Sequence, residues 1–225
     1  MKHPSSLETI QYLAQFVTDQ KLPLIETVLD QRTRYLTVAI ENVYQPHNAS
    51  AILRSGDCFG IQDIHVIEDQ CTYRVNPDIA LGAAQWITLQ RYTSTIDCLT
   101  HLKEQGYQIA AFTLQSGPNT MLDALPLTKK TVLLFGAEQT GLSQIAHEMA
   151  DLYVHIPMVG FTRSLNVSVS TAIALHHLTQ KLYQSNYPWQ LTETERQALT
   201  VEWLVKIIPR GKEILQYFLT KNNTS

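Results

Sequence analysis

The sequence predicts an α/β fold with a mainly parallel sheet. Segments rich in β-branched and aromatic residues alternate with segments of helical character along most of the chain. This alternation is typical of parallel strands joined by helices that cover both faces of a sheet. Polar loops follow several predicted strands, and open parallel sheets place ligand sites at the carboxyl ends of their strands. The 225 residues, of which 44% are hydrophobic, suffice for one domain with an extension.

Six segments are predicted as strands because they are short, apolar and rich in residues that favour a sheet. In chain order they are YLTVAIENV, DIHVIED, WITLQRYT, YQIAAFTL, TVLLFGAE and LYVHIPMV.

Helices are predicted before, between and after these strands. Two short helices separated at Pro23 are expected across residues 6–33. A helix is expected over residues 48–59, with Asn48 as its N-cap and Gly60 at its end. The other predicted helices are TIDCLTHLKEQG, LSQIAHEMA, a long helix from Asn166 to about Tyr183, and one or two helices in residues 192–220 broken at Pro209.

Composition and charge restrict the possible partners. The formal net charge is −3, which argues mildly against an RNA partner because nucleic-acid-binding proteins are more often basic. Arg32 and Arg34 are adjacent to the first strand and are candidate RNA contacts, although a solvated surface also accounts for them. We expect no membrane span, because no apolar run is long enough. Three cysteines without a C-x-x-C pair predict no metal site, and we expect a cytoplasmic protein.

The first polar loop is NVYQPHNASAILRSGDCFG, residues 42–60. Asn42 and Asn48 flank a turn that contains proline, and Arg54 lies on the following helix. In a structural interpretation, Asn48 caps the helix and Arg54 pairs with Asp57, a contact worth only tenths of a kcal/mol. In a functional interpretation, Arg54 binds a phosphate through its planar, charged donor groups. The loop alone leaves both interpretations open.

The second and third polar loops also follow strands. In LLFGAEQTGLS, Gly136 and Gly141 allow close approach of backbone to a ligand, and Glu138 lies between them. This loop lacks the glycine patterns of nucleotide phosphate sites, so a strand-end turn with a solvated Glu138 is the alternative. In IPMVGFTRSLNVSVSTAIALH, Ser164 and Asn166 are good capping residues. The helix that follows has little charge, so we expect it to be buried in a core or a subunit interface.

Together and in this order, the three loops resemble the signature motifs of the SpoU family of RNA ribose 2′-O-methyltransferases, within the SPOUT superfamily. The resemblance covers residues 35–183, and the motifs are specific in combination. The flanking segments, including EWLVK, are similar to the TrmH branch, which methylates a guanosine in the D-loop of tRNA. The resemblance implies three parts: an N-terminal helical extension (1–34), a methyltransferase domain (35–183) and a C-terminal helical extension (184–225).

The resemblance also implies S-adenosylmethionine as cofactor, tRNA as partner, a homodimer and a trefoil knot in the C-terminal half of the domain. In the family the arginine of the first motif is catalytic, which matches Arg54. The other implied catalytic positions are Asn48, Glu138, Ser164 and Asn166. Asn42 would face the RNA together with Arg32 and Arg34. The implied cofactor-binding positions are Phe112, Leu134, Gly136, Gly141, Ile156, Met158, Gly160 and Leu165.

Other functions stay open from the sequence. One alternative is 2′-O-methylation of another tRNA position or of ribosomal RNA. A second is a catalytically silent RNA-binding relative, which would be free to lose Arg54 and Asn48. A nucleotide-dependent oxidoreductase is disfavoured because the glycine fingerprint and the acidic ribose ligand are missing.

Overall fold

The computed structural model describes residues 7–70, 72, 76, 80, 82–114 and 120–223. The chain divides into two compact units. One contains residues 33–189 and the other combines residues 1–32 with 190–225. Both predicted extensions contribute helices to the second of these units. In the described part of the chain, no helix combines the length and apolar character needed to cross a bilayer.

The larger unit is built on a seven-stranded parallel sheet with the order β3-β2-β1-β6-β4-β7-β5. The predicted α/β class with a parallel sheet is confirmed, and each of the six predicted strands is present. A two-residue strand, β5, was not predicted because it is too short to show a pattern. The strands are β1 (Leu36–Glu41), β2 (Asp63–Ile67), β3 (Thr88–Tyr92), β4 (Gln108–Phe112), β5 (Thr120–Met121), β6 (Thr131–Phe135) and β7 (Leu152–His155).

Helices cover both faces of this sheet. The helical ranges in this unit are α3 (Pro46–Cys58), α4 (Thr95–Glu104), α5 (Gln144–Met149) and α6 (Val167–Tyr183). On one face α3 packs against α6, and their side chains Ile52 and Leu175 are fully buried in a core with the sheet. On the other face Leu99 of α4 and Ala146 of α5 join a second core. Burial on both faces explains why the central strands are continuous apolar runs.

The smaller unit is helical. It contains α1 (Leu7–Ala14), α2 (Lys21–Leu29), α7 (Glu193–Ile207) and α8 (Gly211–Asn223). Helix α7 packs against the other three, and Tyr12 of α1 stacks on Phe218 of α8 with ring centroids 4.4 Å apart. Because the short amphipathic helices α1 and α2 cannot bury their apolar faces alone, they depend on the C-terminal helices.

Two predicted helix boundaries were wrong. Pro23 does not separate the first two helices. It lies in the first turn of α2, where its missing N–H costs no hydrogen bond, and the break falls at residues 15–20. The helix predicted to start at Asn48 instead starts at Pro46 with Gln45 as its N-cap. Asn48 is therefore not a capping residue. The trefoil knot stays a prediction.

His65 in β2 is a buried titratable group outside the polar loops. It is 1% exposed, and its Nδ1 atom lies 3.4 Å from the hydroxyl of Tyr92. Burial, and secondarily the charge of His101, lowers the pKa of His65 to about 4. In the unfolded chain the pKa returns to the ordinary value of about 6.5. The unfolded state therefore binds more protons between these two values, and stability falls as the pH is lowered through that window.

We expect the free energy of unfolding to be lower at pH 5 than at pH 7.5, with His65 contributing about 2 kcal/mol of the difference. Urea unfolding of the His65→Gln variant at both pH values should show a correspondingly smaller difference. His47→Gln, which removes an exposed histidine, serves as the matched control. Equal pH dependence in wild type and His65→Gln would contradict the assignment.

Candidate functional site

A cavity of about 690 Å³ lies at the carboxyl edge of the sheet, within the larger unit. The loops after β4, β6 and β7 surround it, and the start of α3 and the start of α6 close it. Phe112 and Phe135, the last residues of β4 and β6, stack with ring centroids 4.4 Å apart and form part of its apolar wall. A cavity of this size and composition suits a small organic ligand.

Asn48 connects the three polar loops at this cavity. Its Nδ2 atom donates to Oε1 of Glu138 at 2.8 Å, and its Oδ1 atom accepts from Nδ2 of Asn166 at 3.0 Å. The Asn48 side chain also donates to Gln45 Oε1 at 3.2 Å. Asn48 is only 1% exposed, and a buried amide is stable only when its donor and acceptor groups are paired. We call Asn48, Glu138 and Asn166 the amide network.

Asn166 has two roles in the amide network. It is the N-cap of α6, and its Oδ1 atom accepts from the backbone N–H of Ser168 at 2.8 Å. The capping role expected for Asn166 is therefore present, and its Nδ2 atom remains available for Asn48. One side chain thus fixes the start of α6 relative to α3. Ser164, just before this cap, lines the cavity and is exposed.

Glu138 has one paired and one unpaired carboxylate oxygen. Oε1 accepts from Asn48, whereas Oε2 is covered and has no hydrogen-bond partner among the described residues. The alternative in which Glu138 is simply solvated is therefore wrong. A covered carboxylate oxygen without a donor is unfavourable, so the chain compensates the Glu138 carboxylate only in part, at a residue that borders the cavity.

The loop that carries Glu138 is held by its backbone. Ala137 and Gly141 exchange two N–H···O bonds of 3.0 Å. A Cβ atom at Gly136 would lie 2.2 Å from the carbonyl carbon of Gly141, so this turn requires glycine at position 136. Gly141 has a φ of 71°, which favours glycine. Both glycines line the cavity, and both are also needed to close the turn.

Glu41, which was not predicted as a site residue, holds Ser143, just after the Glu138 loop. Its buried carboxylate accepts from the hydroxyl of Thr95, and also from the hydroxyl and backbone N–H of Ser143, at 2.6–2.7 Å. Ser143 is the N-cap of α5. The only sequence signal was an acidic residue at the end of a buried strand. Glu41 therefore anchors the end of the Glu138 loop to β1.

The cofactor-binding positions implied by the family resemblance mostly border this cavity. Leu134 does not, because successive strand residues point to opposite faces. It packs in the core under α4 and α5, and its neighbour Phe135 lines the cavity instead. Gly160 lies in an exposed loop, outside the lining formed by the described residues. The six implied positions in the lining are Phe112, Gly136, Gly141, Ile156, Met158 and Leu165.

Arg54 lies apart from the other implied catalytic residues. It is exposed on α3 and outside the cavity lining, whereas Asn48, Glu138, Ser164 and Asn166 all contribute to that lining. The alternative pairing with Asp57 is not formed: within the described ranges the guanidinium makes no ion pair or side-chain hydrogen bond. Arg54 is therefore available to a partner molecule.

The three predicted RNA-binding residues have structural contacts. Asn42 has a φ of 55°, and its Oδ1 atom accepts from the backbone of Gln70 at 2.8 Å. Arg34 pairs with Asp63 at 2.9 Å. Arg32 is 2% exposed, with its guanidinium 5.4 Å from the centre of the Trp203 ring. A guanidinium covered by its own chain cannot reach a phosphate, so the RNA contact predicted for Arg32 was wrong.

Two histidines in the cavity lining were missed by the sequence analysis. His155 ends β7, and His147 lies on α5 with its ring packed against Tyr153. His147 is 7% exposed, and its Nδ1 atom has no hydrogen-bond partner in the described part of the chain. Their positions in a strand end and a short helix showed no motif that would have identified them.

The lining fits S-adenosylmethionine chemically. Its aromatic and aliphatic wall suits an adenosine, and exposed loop backbone after β6 and β7 offers hydrogen-bonding groups. Glu138 is the one carboxylate among the described lining residues, which suits a ligand that carries positive charge. The residues that would hold the cofactor are thus Phe112, Ile156, Met158 and Leu165 around the wall, with Glu138 as the anion.

Comparison with known proteins supports this interpretation. The SpoU rRNA Methylase family matches residues 35–176. A tRNA (guanosine(18)-2′-O)-methyltransferase from Borreliella burgdorferi is 40% identical over 203 residues, covering 90% of this chain and 92% of that protein. The crystal structure of the TrmH/SpoU tRNA modifying enzyme from A. aeolicus has a TM-score of 0.76 and 31% identity, covering 85% of this chain and 98% of that one.

A structure with bound cofactor is also similar. The AdoMet-bound rRNA methyltransferase from Sinorhizobium meliloti has a TM-score of 0.59 and 25% identity, covering 69% of this chain and 59% of that one. The family match includes all three polar loops up to the middle of α6. The chain therefore belongs to the SpoU RNA methylase family.

Proposed function

We propose that the protein transfers a methyl group from S-adenosylmethionine to the ribose 2′-hydroxyl of a guanosine in the D-loop of tRNA. The target is guanosine 18, the position in the name of the Borreliella burgdorferi relative. The observation that carries this proposal is the convergence of three family motifs on one cavity through the amide network. The match covers 90% of this chain and 92% of the relative, which supports the same activity for the whole chain.

The chain positions the reacting groups rather than supplying a covalent intermediate. The cofactor, when bound, supplies a methyl group already activated by a positively charged sulfonium. The amide network holds the starts of α3 and α6 on either side of the cavity, and these two helix starts would orient the ribose. Fixed orientation of two reactants removes much of the entropic barrier to transfer.

Arg54 would bind the phosphate next to the target ribose. Its exposure and the absence of an ion pair in the described residues leave both guanidinium edges available for a bidentate contact. Free guanidinium hardly deprotonates, so the phosphate bound by Arg54 would accept the proton of the 2′-hydroxyl. Arg54 stays a proposed catalytic residue on this basis.

We further propose that the protein is a homodimer. Val159 and Phe161 are fully exposed in the loop after β7, at 105% and 108% of reference exposure. Leu165, just before α6, and Val169 and Ile173, in its first two turns, are also exposed apolar residues. We call these five residues the apolar patch. A concentration of exposed apolar residues in one short segment is typical of an association site, and a second copy of the chain is the occupant that the family resemblance implies.

We assign methyl transfer and tRNA binding to different segments of the chain. Residues 35–183 would carry the methyl transfer, and the flanking helices would contribute to tRNA binding from a surface of low positive charge. The net charge of −3 means that few phosphate contacts carry the affinity, so each of them matters more. With tRNA as substrate, we place the protein in the cytoplasm.

The proposed reaction is tested by incubating the purified protein with labelled S-adenosylmethionine and either total tRNA or ribosomal RNA. Mass spectrometry of the products should locate one 2′-O-methyl group on a D-loop guanosine of tRNA. Methylation only at another tRNA position or in ribosomal RNA would keep the chemistry and contradict the target. Cofactor binding without transfer to either RNA would instead indicate a silent relative.

Replacing Arg54 by lysine should lower kcat/KM for tRNA by about tenfold to a hundredfold, because lysine keeps the charge but loses the bidentate contact. Arg54→Ala should abolish transfer. Calorimetry should show unchanged affinity for S-adenosylmethionine in both variants, because Arg54 lies outside the cavity lining.

Arg91→Lys is the matched control, since Arg91 is a surface arginine paired with Glu68. Near-wild-type activity of Arg54→Lys would rule out the bidentate role.

Replacing Phe161 by aspartate should convert a dimer into a monomer, because a charge in the apolar patch cannot be desolvated in an interface. Light scattering after gel filtration should give about twice the chain mass of 25.5 kDa for wild type and about that mass for the variant. Ile96→Asp, at an exposed apolar position of α4, should remain dimeric. A monomeric wild type, or a dimeric Phe161→Asp variant, would contradict the interface.

A further inference from the structure

We propose that Glu138 makes the cavity select the cationic methyl donor over its neutral demethylated product. This inference rests on the proposed function and extends it to the discrimination between substrate and product cofactor. It assigns Glu138 a binding role through charge, in addition to its hydrogen bond with Asn48.

The geometry around Glu138 separates its two oxygens. Oε1 is occupied by the amide of Asn48 at 2.8 Å, which fixes the carboxylate in place. Oε2 is covered and lacks a partner among the described residues, although the residue lines the cavity. The negative charge of this carboxylate is therefore balanced by no donor beyond Asn48 in this part of the chain.

No other acidic or permanently cationic side chain of the described lining competes with the Glu138 carboxylate. This lining contains no lysine, arginine or aspartate, and its other titratable side chains are His147 and His155. Glu138 is therefore the one carboxylate of the described lining, and no lysine or arginine of that lining faces it. In a partly enclosed site such a charge acts more strongly on a ligand than it would in water.

The two cofactor forms differ in net charge. S-adenosylmethionine carries an ammonium, a carboxylate and a sulfonium, and its net charge is +1. During transfer the S–CH₃ bond breaks, the C–O bond to the ribose forms, and the electron pair of the broken bond stays on sulfur. The 2′-hydroxyl gives up its proton, and the product S-adenosylhomocysteine is a neutral thioether with no net charge.

The attraction of Glu138 is therefore strong for the donor and weak for the product. Transfer itself removes the positive charge that the carboxylate stabilises, which favours release of the product. Discrimination of this kind depends on charge and not on shape, because the two forms differ by a single methyl group.

The test is calorimetric binding of three ligands to wild type, Glu138→Gln and Glu104→Gln. The ligands are S-adenosylmethionine, S-adenosylhomocysteine and sinefungin, which carries an ammonium group where the donor has its sulfonium. Glutamine keeps an oxygen that can accept from Asn48, so the amide network is preserved. Glu104 is an exposed carboxylate at the end of α4, outside the cavity lining, and controls for net charge.

In Glu138→Gln we expect the affinity for S-adenosylmethionine and sinefungin to fall about tenfold or more, equivalent to about 1.4 kcal/mol. The affinity for S-adenosylhomocysteine should stay within about twofold of wild type. Glu104→Gln should leave all three affinities unchanged.

An equal loss for all three ligands would overturn the inference and leave the proposed function intact. Wild-type protein that binds sinefungin no more tightly than S-adenosylhomocysteine would also overturn it, without reference to any variant. Wild-type protein that binds none of the three would contradict the proposed function itself.

Discussion

The functional edge of this protein depends on one buried amide, the side chain of Asn48. Both of its ends are used: it donates to Glu138, 90 residues away in the chain, and accepts from Asn166, 118 residues away. Asparagine is well suited to this position because its amide offers a donor and an acceptor on one short side chain. A residue with only one of these groups would lose the hydrogen bond either to Glu138 or to the Nδ2 atom of Asn166.

The parallel sheet brings the loops of Asn48, Glu138 and Asn166 together. Strands β1, β6, β4 and β7 are neighbours, so the loops that follow them emerge at the same edge. Backbone contacts then refine their positions. Glu41 holds Ser143 at the start of α5, and the paired backbone of Ala137 and Gly141 closes the turn that presents Glu138. The cavity is thus formed by a rigid scaffold, which favours a preorganised site.

Sequence reasoning predicted the parallel sheet and the polar loops because both depend on local patterns of apolar and polar residues. It assigned Asn48 to a helix cap, since an asparagine before an apolar helix usually has that role, and missed that Pro46 already starts the helix. It named Leu134 as a cofactor position, whereas Phe135 lines the cavity, because the face to which a strand residue points depends on register, which one strand alone does not show.

Contacts between residues that are distant in sequence could not be predicted from local sequence patterns. Arg32 looked like a surface cation beside Arg34, but it lies over Trp203, a residue of a helix near the other end of the chain. Glu41 and His147 belong to no motif: Glu41 of β1 binds Ser143 at the start of α5, and the packing of α5 places His147 in the cavity lining. Pairings of this kind follow from tertiary structure and not from residue type.

A double-mutant cycle on Asn48 and Asn166, read out as the free energy of S-adenosylmethionine binding, tests the central claim most directly. If the two amides form one network that shapes the cavity, Asn48→Ala and Asn166→Ala should each weaken binding, and the double variant should be far less impaired than the sum of the two. A coupling energy above about 0.5 kcal/mol is the predicted result. Additive losses, or no loss in either single variant, would show that the amide network does not build the site.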